Sequence, residues 1–114
     1  MPLDSGSLSG NWTADTYAGW EPGSVPHSLF RGERFRETLG RVERLKALCE
    51  PYFPTLAETA IRYTLSAAQC STVIPGMRNP EEVDINVAYS DGKPFPSELL
   101  VELAAHAWPR NYYQ

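Results

Sequence analysis

From Arg34 onward apolar side chains return every third or fourth residue, at Phe35, Leu39, Val42, Leu45 and Leu48, with arginine and glutamate between them. That spacing predicts an amphipathic helix with one buried face. Pro51 and Pro54 close it, because proline has no N–H to continue the ladder. Thr55-Leu56-Ala57-Glu58 is a capping-box pattern. It opens a second helix over 56–66, whose stripe of Ala57, Ala60, Ile61, Thr64 and Leu65 is slim enough to approach a sheet closely. Asp91-Gly92 marks a turn, and Pro96-Ser97 starts a last helix over 98–107 with Leu99, Leu100, Leu103 and Ala104 as its apolar stripe.

The period changes at Thr72, Val73 and Ile74, an uninterrupted β-branched run. Such a run predicts a short parallel strand covered on both faces. Pro75 stops it, Gly76 lets the backbone turn, and Asn79-Pro80 has the form of a helix start with Asn at N-cap and Pro at N1. The helix that follows, 80–89, places Val83 and Val87 one turn apart and inward. Helix, parallel-type strand, helix is an α/β order. A lone strand cannot satisfy its N–H and C=O groups. The other candidate strand lies at or just before residues 1–3, so the chain reads as a piece of something larger.

Residues 2–10, PLDSGSLSG, form a Gly- and Ser-rich loop of the kind that follows a strand, and 11–28 is a long excursion without helical or strand period. Its Trp12, Tyr17 and Trp20 suit either stacking on a ligand or packing over the rim of a core.

Composition narrows the classes. The chain has 114 residues, 42% of them hydrophobic, enough for a core and for one domain at most. Ten Lys+Arg against fourteen Asp+Glu give a net charge of −4, which disfavours a nucleic-acid surface. Cys49 and Cys70 lie far apart, without CxxC or histidine at ligand spacing; both read as small buried residues rather than a metal site or redox pair. No apolar leader follows Met1 and no stretch reaches membrane length, so a cytoplasmic protein with no membrane partner is expected.

The strand-to-helix junction is where chemistry is expected. Free N–H groups at a helix N-terminus face whatever lies beyond the strand, and Arg78 sets a permanently charged fork one residue before the cap. Phosphate is the natural guest; the plainer reading is a solvated loop cation.

Taken together, 2–10 and 71–86 resemble the C-terminal part of an aldo-keto reductase. PLDSGSLSG resembles that family's SPLxxGxLTG loop after the seventh barrel strand. The helix over 56–66 followed by STVIPGMRNPEEVDIN resembles its LAxxALrwxLs…vsxvIPGxrxxeqvxeN block, which contains the eighth strand. The resemblance implies the incomplete C-terminal part of a (β/α)₈ TIM barrel, mostly helical with one or two short parallel strands, from an enzyme that reduces carbonyls with a nicotinamide cofactor, usually NADPH. It implies that Pro2 and Leu3 lie along the cofactor, Ser5 and Gly6 close to its pyrophosphate, and Gly76, Arg78, Glu82 and Asn86 around the adenosine half. Arg78 would meet the 2′-phosphate and Asn86 the adenine edge. Glu82 stands where Gln or Arg is common, and reads equally as a helix-dipole partner with Glu81. Asn11 replaces a frequent Lys and Ile85 a frequent Glu.

In that family the catalytic Asp, Tyr, Lys and His come from the first five strands, none of which is present here. No catalytic or metal-binding residue is therefore assigned, and Tyr63, Tyr89, Tyr112, Tyr113, His27 and His106 are not substitutes. A barrel of this type needs roughly 250 residues. The chain is expected to be inactive alone, to hold the cofactor only within a complete barrel, and to be prone to self-association through unpaired strand edges. A non-catalytic remnant and a small helical interaction module are the competing readings.

Overall fold

The computed structural model describes residues 1–109. The aromatic tail beyond them, with Tyr112 and Tyr113, lies outside the described residues. A 3₁₀ turn at Asp4–Ser9 leads through a second at Tyr17–Gly19 to five helices: α1 Val25–Leu29, α2 Glu33–Cys49, α3 Leu56–Ser66, α4 Pro80–Ala88 and α5 Ser97–Ala104.

The helices form where the apolar periodicity places them. On α2, Phe35 and Val42 are buried and Leu45 and Leu48 pack against the same core. Pro51 ends it. The Thr55 hydroxyl accepts the Glu58 N–H at 3.1 Å and caps α3. The capping box closes only on this side, because the Glu58 carboxylate turns to Arg62. Asn79 caps α4, its Oδ1 taking the Glu82 N–H at 2.8 Å, with Pro80 in the first turn. Val42, Cys49, Phe53, Leu56 and Leu99 make the central core, which Leu8, Tyr52, Phe95 and Leu103 extend. The N-terminal turn, α2 and α3 pack on one another as the body of the molecule.

The 11–28 excursion carries the second 3₁₀ turn and the start of α1, and its aromatic residues form a satellite cluster. Trp12 meets Phe30 edge-on at 4.7 Å and Phe35 in a stack at 5.8 Å, while Tyr17 stacks on His27 at 4.9 Å. Of the two uses open to them, the structure shows packing over the core's rim.

The expected α/β architecture is overturned. Among the described residues there is no strand and no sheet. Residues 1–3 form a turn region, and 71–77 make no backbone–backbone hydrogen bond. Ile74 is 81% exposed, not buried. The physical reason is pairing: an extended segment gains its stability from lateral N–H to C=O bonds, and no second strand stands beside this one. The strand edges from which self-association was inferred are accordingly not formed. The inward assignment of Val83 and Val87 also fails, since both are exposed and α4 buries none of its residues. Leu99 and Leu103 of α5 face the core, whereas Leu100 and Ala104 face outward, and α5 ends at Ala104, short of residue 107. Cys49 is buried as expected; Cys70 is half-exposed. The Cα radius of gyration, 14.6 Å, exceeds the roughly 13 Å of a close-packed chain of this length. No helix among the described residues is long and apolar enough to cross a membrane.

Candidate functional site

Two segments carry the residues singled out from the sequence. The first is the N-terminal turn. Leu3 accepts the Gly6 and Leu8 N–H groups at 2.9 and 3.2 Å. Asp4 and Ser5 take positive φ angles of 48° and 56°, and Gly6 one of 97°. Glycine accepts this conformation freely, but each of the other two stores strain of about 1–3 kcal/mol. The turn is kept in it by the Ser7 hydroxyl, which is buried and donates to the Asp4 carboxylate at 2.5 Å. A Cβ on Gly6 would come within 3.7 Å of the Trp12 indole, so the aromatic cluster backs the same turn. Pro2, Leu3, Ser5 and Gly6 are all half-buried, and the Ser5 hydroxyl donates to Met1 Sδ at 3.7 Å. Successive N–H groups in such turns form concavities suited to anions.

The second segment is the start of α4. The Arg78 backbone N–H donates to Glu82 Oε2 at 2.7 Å, and its Nε and Nη2 donate to Oε1 at 3.2 and 2.8 Å. The carboxylate is therefore taken up by the arginine. Hydrogen bonding to the Arg78 side chain, and then to its backbone, holds the Glu82 carboxyl below its usual value and raises the guanidinium's. Arg78 is 88% exposed on its side chain. Gly76 has open space where a Cβ would sit and no positive φ, so the chain itself does not require glycine there. Asn86 is half-buried, one turn beyond Glu82.

The structure does not join the two segments. Among the described residues no hydrogen bond or ion pair links Pro2, Leu3, Ser5 or Gly6 to Gly76, Arg78, Glu82 or Asn86. A cavity of about 60 Å³ beside the N-terminal turn is lined by Asp4, Ser7, Leu8, Thr38 and Arg41 among others, and none of the eight lines it. Of the residues not recruited for catalysis, Tyr63 is an exposed residue of α3 and Tyr89 the C-cap of α4. Burial pushes the Cys49 thiol up.

Sequence reasoning missed one polar centre. Arg62, 7% exposed, bonds Glu58 Oε1 at 2.8 Å, the Tyr89 carbonyl at 3.3 Å, and Asp91 with both prongs, at 2.6 and 3.0 Å. The fork holds the Asp91 carboxyl well below the carboxylate range, assisted by the Lys93 N–H. The i,i+4 spacing of Glu58 and Arg62 signals half of this centre in the sequence.

Residues 1–107 match the family model described as the aldo/keto reductase family. The chain belongs to that family. No curated protein and no solved structure matches it. The aldo/keto reductases are oxidoreductases that generally use nicotinamide cofactors, and the match takes in both segments described above.

Proposed function

We propose that the chain is a cofactor-gripping part of an NADPH-dependent aldo/keto reductase acting on aldehydes or ketones, a single partial domain that supplies binding rather than the catalytic groups. The observation that carries this reading is the family match, which spans PLDSGSLSG and STVIPGMRNPEEVDIN together.

The residues present fit the two anionic parts of such a cofactor. At the strained turn the Asp4 and Gly6 N–H groups are taken by the Met1 and Leu3 carbonyls, so the Ser5 N–H and hydroxyl would be the donors toward a pyrophosphate. Pro2 and Leu3 adjoin it along the dinucleotide. At the other end Arg78 is an exposed guanidinium whose Nη1 is not used by Glu82, and its fork matches a 2′-phosphate. The open space at Gly76 leaves room for the close approach of adenosine, and Asn86, one turn beyond Glu82, would take the adenine edge. When bound, NADPH supplies the hydride that reduces a carbonyl. This chain's residues orient and hold; in this reading the groups that move the proton lie outside these residues.

Titration of NADPH and NADH into the purified chain, with Arg78→Ala alongside and circular dichroism as the check on folding, tests the proposal. Arg78→Ala should weaken NADPH about 10- to 100-fold, the worth of one charge-assisted contact, and leave NADH nearly unchanged. A helical chain with no response to either nucleotide would overturn it in favour of a helical interaction module.

A further inference from the structure

Helix α4 is tethered at one end. It buries no residue, and 71–77, which leads into it, makes no backbone–backbone hydrogen bond. Beyond its C-terminus the chain returns to the body, where Phe95 packs against Phe53 at 5.5 Å and Tyr63 at 5.8 Å. The polar tie at that end is Arg62, which reaches the carbonyl of Tyr89, the C-cap residue of α4, and forks onto Asp91 two residues later. Arg62 is itself immobilised, buried on α3 and bonded to Glu58.

We infer that Arg62 is a positioning residue: by holding Tyr89 and Asp91 it sets the placement of α4, and through it the Arg78–Asn79–Glu82 end that meets the adenosine phosphate. The inference rests on the cofactor reading above. The lever is long. Nine helical residues span about 13 Å, so a tilt of about 10° at the clamp displaces the far end by about 2 Å, enough to break a hydrogen bond.

Hydrogen exchange on the full chain without cofactor, followed by NADPH and NADH titrations, tests it with Arg62→Lys and Asp91→Asn. Lysine keeps the charge beside Glu58 but cannot fork, and Asp91 is an exposed residue whose change leaves the core intact. Amides 81–88 should exchange about tenfold faster in both variants, with α2 and α3 unaltered. The NADPH dissociation constant should rise about tenfold, and NADH less, so that the preference between them narrows; simple loss of folding would weaken both alike. Unchanged exchange in α4, or a loosened α4 with an intact NADPH preference, would overturn the inference. Wild-type chain that binds neither nucleotide would sink the cofactor reading, while the exchange comparison still decides whether Arg62 anchors α4.

Discussion

Glu82 holds Arg78 twice, its Oε2 on the backbone N–H at 2.7 Å and its Oε1 on the guanidinium at 2.8 and 3.2 Å. This arrangement orders the residue preceding the cap of α4, and it sets a carboxylate against any phosphate that Arg78 would receive. A 2′-phosphate must therefore compete with Glu82 for the fork. Glu82→Gln keeps an acceptor for the backbone N–H and removes the charge. Titration should show NADPH binding more tightly in this variant by up to about fivefold, the range expected of an exposed pair, with NADH unmoved. Weaker NADPH binding would mean that Glu82 orders the arginine more than it competes with it.

Burial separates the ion pairs by consequence. Arg62 joins Glu58 with side chains 6% and 12% exposed, whereas Arg36 and Glu33 are 80% and 75% exposed at 3.6 Å. Removing one member of a buried pair leaves the other charged and desolvated, so Arg62→Met should cost about 3–5 kcal/mol in urea denaturation. Arg36→Ala should stay within about 0.5 kcal/mol.

The pH dependence follows from the same centre. The Asp91 carboxyl is lowered by the Arg62 fork first and the Lys93 N–H second. With the folded-state value depressed, the unfolded chain binds the proton more readily. The stabilisation is then fully present above the ordinary Asp value of about 3.9 and is lost as pH falls below it toward the folded value. Glu82 shifts in the same direction. Thermal melts between pH 6 and pH 2.5 should show midpoints falling below about pH 4, and Asp91→Asn should flatten that fall.

What the sequence made readable was what is decided locally. The α2 stripe, the Thr55 cap and the Asn79-Pro80 start depend on residues within a turn or two of each other, and each forms as its spacing requires. Thr72-Val73-Ile74 failed for the opposite reason: a strand is a relation between segments, and β-branched character alone supplies no partner. The Arg62 to Asp91 contact spans 29 residues, so only its Glu58 half was open to a helix-spacing argument. Of the candidate site, the Asn79-Pro80 helix start with Arg78 before it was readable from the residues themselves, whereas Ser5 and Gly6 entered through the family resemblance. The strain at Asp4 and Ser5 was not readable, because nothing in a Pro-Leu-Asp-Ser-Gly string demands two non-glycine residues at positive φ.

Neighbouring leucines on α5 offer a contrast in which chemistry is constant and position varies. Leu99 is fully buried in the cluster with Val42, Cys49, Phe53 and Leu56, while Leu100, the next residue, is 37% exposed. The sequence stripe treats them alike. Truncating Leu99 removes the transfer energy of its side chain and leaves a cavity between α5 and the body, so Leu99→Ala should cost about 2–5 kcal/mol. Leu100→Ala forfeits only part of the burial and opens no cavity, and should cost under about 1 kcal/mol. Paired urea denaturation curves with equal slopes would show the difference as a shift of midpoint alone. Equal midpoints would mean that α5 does not fold cooperatively with the α2–α3 body, and that the Leu99 contact contributes locally rather than to the stability of the whole chain.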